Sequence, residues 1–168
     1  MLDNLKSKYI LQEIFEKIKN KRKLNIIKYN KRVMIKLDIN KEDFEIYIAL
    51  KEFNFKYNTN IQDIDIKTLN LSGRNIRNEE LKDLNKIKFK ELKDLDLGGN
   101  NISDIKGLEN VKFEKLEKLD LNNNEISDIK VLEKVKFDKL KLLDLSNNKI
   151  DLKQNNVIIS KMKSILKI

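Results

Sequence analysis

Leucines recur through the second half of the chain at a spacing that neither a lone helix nor a lone strand produces. Residues 88–111 read KFKELKDLDLGGNNISDIKGLENV and residues 112–135 read KFEKLEKLDLNNNEISDIKVLEKV, with 15 of 24 positions identical. A third copy opens at Lys136 as KFDKLKLLDLSNNKI and departs after Ile150. Each copy follows L-x-x-L-x-L-x-x-N-x-I. The positions are Leu92, Leu95, Leu97, Asn100, Ile102, then Leu116, Leu119, Leu121, Asn124, Ile126, then Leu140, Leu143, Leu145, Asn148, Ile150. Upstream, Ile66, Leu69, Leu71 and Ile76 form a fourth copy, 26 residues before the next, with Arg74 at the asparagine place.

The pattern has a physical reading. Alternation at Leu95 and Leu97 puts both side chains on one face of a short strand. One copy cannot bury that face, whereas stacked parallel copies make a continuous core. Strands are therefore expected near 69–71, 95–97, 119–121 and 143–145. The asparagine follows the strand where the chain turns inward, and its amide can satisfy buried backbone groups of its own and the next turn. Ser103 and Ser127 fall at N-cap positions, followed by Asp104 and Asp128, which suit a helix start. Ile105, Leu108 and Val111, like Ile129, Leu132 and Val135, give the apolar stripe of a short convex helix or 3₁₀ segment.

These motifs resemble the leucine-rich repeat family, over roughly residues 61–168. The SDIxxL segment is similar to the short repeats of bacterial internalins and of the phosphatase-regulator type. LNLSGRNIRNEEL is more like the ribonuclease-inhibitor type. The resemblance implies an α/β solenoid of about four repeats, with parallel strands on the concave face and short helices on the convex one. It also implies a non-enzymatic scaffold that binds a protein partner through the concave face.

Residues 1–60 have another character and are expected to form a helical head, with 61–168 the repeat array and its helical C-terminal cap. Leu11, Ile14, Phe15 and Ile18 mark one amphipathic helix, and Ile27, Val33, Met34 and Leu37 suit a second. Residues 41–57 fit either state: Phe44, Ile46, Ile48 and Leu50 alternate as in a strand, while Phe44, Tyr47 and Ile48 fit a helix, which is favoured. YILQEIFEKI followed by KLNIIKYNKR loosely resembles an F-box, without its usual proline and tryptophan. That resemblance implies a substrate receptor of a cullin ubiquitin ligase. At the other end Val157, Ile158, Met162, Ile165 and Leu166 predict a final amphipathic helix.

Composition narrows the chemistry. With Cys 0 and His 0 there is no cysteine nucleophile, no Ser-His-Asp triad, no disulfide framework and no ordinary zinc site. No cofactor is expected. The net charge is +9, of which residues 1–60 carry +6 (14 basic, 8 acidic) and the array +3 (22 basic, 19 acidic). Lys17 to Arg32 interleaves cations with Leu24, Ile26, Ile27 and Tyr29, a composition that could touch nucleic acid or an anionic membrane. Lys 32, Asn 22 and Ile 23 supply 77 of 168 residues, however, and all three have A/T-rich codons. Codon bias therefore accounts for much of the basicity. Without an uninterrupted apolar N-terminal stretch the chain is expected in the cytoplasm.

The candidate binding residues are the strand positions that point away from the core. Asp96, Asp120 and Asp144 share one repeat position and form a column. Lys93, Glu117 and Lys141 form a second, and Asp94, Lys118 and Leu142 a third, with strands roughly 4.8 Å apart. A line of carboxylates does not converge as calcium requires, so no metal is expected. Repeat duplication explains the aspartates as well as binding does. It does not explain Leu142, which is apolar where the other copies have Thr68, Asp94 and Lys118. Asn100, Asn124 and Asn148 are expected to be structural, and Phe89, Phe113 and Phe137 to form a core spine. Gly98 and Gly99 end a strand and are not a phosphate loop, because no Gly-Lys-Ser/Thr follows.

Overall fold

A computed structural model describes residues 41–61, 64–87, 89–135 and 137–168. The chain divides into two compact units, 1–52 and 53–168. The two helices expected before residue 40, the F-box-like arrangement and the basic segment Lys17–Arg32 lie outside the described residues. The ambiguous stretch is helical, as α1 (Lys41–Tyr57).

The second unit is built on five short strands, β1 (Thr68–Asn70), β2 (Asp94–Asp96), β3 (Lys118–Asp120), β4 (Leu142–Asp144) and β5 (Leu166–Lys167). They form one sheet in chain order, every pairing parallel. Leu69, Leu95, Leu119 and Leu143 stand in register, each 4% exposed or less. The strands begin one residue earlier than the leucine pattern suggests. Leu71, Leu97 and Leu121 still donate to the carbonyls of Asp96, Asp120 and Asp144, each at 2.8 Å, but the chain is already turning there.

Between strands the chain crosses the convex side in segments of unequal length. The first is a 3₁₀ turn, Asn78–Lys82, running into α2 (Asp83–Ile87). The later ones are single 3₁₀ turns, Lys106–Leu108 and Lys130–Glu133. Leu81, Leu84, Ile87, Leu108 and Leu132 from these segments are buried. One repeat position after the strand needs a left-handed backbone, with φ of 64° at Gly73, 61° at Gly99, 51° at Asn123 and 56° at Asn147. Glycine and asparagine are the residues that adopt it most cheaply.

The C-terminus departs from expectation. Instead of one helix to Leu166, α3 (Asn156–Met162) stops short and the chain returns as β5. The backbone groups of β4 need partners, and Leu143 and Leu145 donate to Ile165 and Lys167 at 2.7 and 2.6 Å. Ile158 is buried under α3, while Val157 is exposed.

Candidate functional site

The asparagines look backward along the array. Asn100 donates through Nδ2 to Leu71 and Leu97 carbonyls at 3.0 and 2.8 Å, and its Oδ1 accepts from the Arg74 and Ile76 amides, both at 3.0 Å. Asn124 repeats this toward Leu97, Leu121 and the Ile102 amide, all at 3.0 Å. Asn148 does so toward Leu121, Leu145 and the Ile126 amide, all at 2.9 Å. Each side chain thus ties its own turn to the preceding one, not to the next as expected from the sequence. This explains Arg74: the first repeat has no earlier turn to hold.

The serine caps are also revised. No side chain caps the 3₁₀ turns at Ile105 or Ile129. Asp104 and Asp128 accept from the Lys106 and Lys130 amides, each at 2.8 Å. A carboxylate two residues ahead of a free amide satisfies it with less chain than a serine hydroxyl further back.

The strand side chains that point away from the core define the candidate surface, and its three columns differ in character. In the aspartate column, Oδ1 of Asp96, Asp120 and Asp144 accepts from the amide two residues on, Gly98, Asn122 and Ser146, at 2.9, 3.0 and 2.9 Å. Asn70 does the same for Ser72 at 2.9 Å. This column terminates the strands, which is a structural reason for the copied aspartate beyond duplication. Asp144 is buried and its second oxygen accepts from Lys167 at 2.6 Å. Burial pushes its carboxyl up, but the hydrogen bonds from Lys167 and Ser146 outweigh that and hold it below the usual carboxylate range. Asp96 and Asp120 are half-buried.

In the second column Glu117 lies between Lys93 and Lys141, at 3.1 and 2.5 Å. The hydrogen bonds from Lys141 and Lys93 hold its carboxyl below the ordinary range. The third column runs Asp94, Lys118, Leu142 in register. Asp94 and Lys118 are exposed, and Leu142 is 39% exposed. The β4–β5 register sets Ile165, half-buried, beside Leu142. An apolar pair therefore closes one end of an otherwise polar sheet face. Repeat logic could not place Ile165 there, because β5 has no repeat motif.

The phenylalanines divide. Phe113 is buried and its ring stacks on Phe137 at 5.9 Å, whereas Phe89 meets Phe53 edge-on at 6.2 Å. Phe89 and Phe137 are only half-buried, so the spine is partial. Among the described residues, no group of acids is placed to hold a metal ion, and no helix is long and apolar enough to cross a membrane.

A family model for leucine-rich repeats, in two copies, matches residues 114–157. Together with the parallel sheet and the backward-facing asparagines, this identifies leucine-rich repeats in residues 114–157 and an α/β leucine-rich-repeat-type fold for the array around them. No curated protein matches it. Leucine-rich repeat domains are in general protein-interaction modules, and the family is typically non-enzymatic.

Proposed function

We propose that the repeat array binds a protein partner through the outward face of β1–β4, with Leu142 as its anchor. The observation that carries this is a solvent-facing leucine on a sheet whose in-register neighbours are Asp94 and Lys118. A single exposed leucine is ordinary on a protein surface. Here it adjoins Ile165 and is bordered by Lys141 and Lys118, the arrangement of an apolar contact inside a polar rim. Asp96 and Asp120 each keep one carboxylate oxygen outside their turn hydrogen bonds, so a basic group on the partner finds acceptors two and one strands away from the anchor.

Binding of this kind concentrates in desolvated apolar contacts, while solvent-screened ion pairs such as Glu117–Lys141 add little. The test is affinity capture by the full chain, followed by measurement of the captured partner against Leu142→Asp and Asp120→Lys. Leu142→Asp should abolish binding and Asp120→Lys should weaken it, with unchanged circular dichroism in both. If both variants bind the same partner normally, this face is not the binding surface.

A further inference from the structure

A second surface of the array has features that the concave face does not account for. The first convex segment is ten residues of helix, Asn78–Lys82 and Asp83–Ile87, and the next is three, Lys106–Leu108. Where the long segment gives way to the short one, a groove of about 320 Å3 opens, with apolar walls from Leu84, Phe89, Val111 and Phe113. Leu84 and Phe113 are buried; Phe89 and Val111 are half-buried and leave apolar surface facing the groove. This volume is at the small end of natural ligand sites and suits one large apolar side chain with its flanking backbone.

The polar lining indicates what flanks that side chain. Lys90 and Lys112 are exposed lining residues, and neither has an ion-pair partner among the described residues. Several other lysines of the array are paired with acids of a neighbouring repeat, as in Lys115–Glu91, Lys134–Glu109, Lys149–Glu125 and Lys161–Glu133. Like Lys118 and Lys130, the two groove lysines lack such a pair among the described residues, and here both line an apolar groove. Glu114 is the one acid of the lining, so an anionic ligand meets two cations against one anion. Asn85 and Asn110 also line the groove, and their side-chain amides make no hydrogen bond among the described residues, leaving donors and acceptors for a peptide backbone.

We propose that this groove binds a short acidic segment of a partner protein that inserts one leucine or aromatic side chain between Phe89 and Val111. The apolar walls supply the contact area, and Lys90 and Lys112 select Asp and Glu around the inserted residue. An acidic peptide fits better than a nucleic acid, which needs more cations along its backbone than these two.

The probe is a randomised hexapeptide pool with Leu, Phe or Trp at one position and Asp or Glu at the others. A second pool replaces the acids with Lys and Arg. Titration into the isotopically labelled full chain should shift the methyl resonances of Leu84 and Val111 with the acidic pool and leave them unmoved with the basic one. Lys90→Glu combined with Lys112→Glu should weaken acidic-pool binding at least about tenfold, steering and rim attraction both being reversed, with unchanged circular dichroism. The proposal fails if the acidic pool does not bind, if both pools shift the same methyls, or if the shifts fall on Leu142 instead. It fails equally if the double variant binds as the parent does, or if polyuridylate displaces the acidic pool from these methyls.

Discussion

The first repeat and the two that follow solve the same packing problem differently. Repeats two and three cross the convex side in one 3₁₀ turn each, while the first spends ten helical residues on Asn78–Lys82 and Asp83–Ile87. The later repeats carry Asn100, Asn124 and Asn148 at the turn; the first carries Arg74. The difference follows position in the stack. An interior repeat has a neighbour on each side and can satisfy its turn by reaching backward. The first repeat has a backward face to cover and receives its turn bonds from Asn100. Its longer helix supplies the anchor for the last turn of α1, where Tyr57 donates to Asp83 at 2.7 Å and Lys56 pairs with the same carboxylate at 2.9 Å. Solenoid ends need such dedicated cover because an open repeat exposes core.

The comparison is broken most severely from the interior. Leu121 is fully buried between two repeats, so Leu121→Ala should cost ~2–5 kcal/mol as an unfilled cavity, measured by urea denaturation. Asn124→Ala strands the Ile102 amide, while the Leu97 and Leu121 carbonyls keep Asn100 and Asn148 as donors, at ~1–3 kcal/mol for a buried group left unsatisfied. Arg74→Ala at the same repeat position should stay within about 0.5 kcal/mol, as an exposed side chain outside the ladder. Equal losses at Asn124 and Arg74 would mean that the backward-tie account is wrong.

The junction between the two repeat types rests on Gly107. A Cβ there would lie 2.7 Å from Leu81 Cβ, whereas the equivalent position one repeat later holds Val131 without difficulty. Gly107→Val should therefore cost ~1–3 kcal/mol through overpacking. Val131→Gly should cost no more than about 1 kcal/mol through backbone entropy in a short turn. Thermal unfolding of the pair measures the asymmetry directly.

The smallest effect is electrostatic. Burial pushes the Asp83 carboxyl up, but the hydrogen bonds from Lys86, Lys56 and Tyr57 prevail and hold it at about 2, below its ordinary 3.8. A depressed folded-state pKa contributes stability that is present above about pH 4 and is lost as pH falls toward 2. Burial first, then the bond to Asp83 and the nearby acids, pushes the Tyr57 phenol up, so it remains a donor across the neutral range. Asp83→Asn should flatten the acid limb of a stability–pH curve between pH 4 and 2 and leave repeats two and three as protected in hydrogen exchange as before. An unchanged acid limb would remove Asp83 from the account.

Most of the architecture was legible in the residues because it rests on a period. Leu95, Leu119 and Leu143 had to stack, since alternation gives one buried face and a single repeat cannot hide it. Asn100, Asn124 and Asn148 had to be structural, since a turn entering the core leaves amides and carbonyls that only a short side-chain amide can reach. The outward columns were legible too, as the positions left over. The direction of the asparagine ties was not, because a repeat looks the same from both sides until the handedness of stacking is known.

Where the period ends, the sequence determined less. Ile165 and Leu166 read as the tail of an amphipathic helix, yet Leu166 opens β5 because the open groups of β4 needed partners more than another helical turn did. Asn155, buried and accepting from the Ile129 amide at 3.1 Å while donating to the Ser127 and Asp151 carbonyls, carried no motif that marked it. The apolar pair of Leu142 with Ile165, the lock of Lys167 on Asp144, and the groove between unequal convex segments depend on which distant residues meet. Periodicity in the sequence determined the solenoid, because each copy makes the same local demand and its neighbour answers it. The tertiary structure decided the ends and the surfaces, because there the demand is met by chain that repeats nothing.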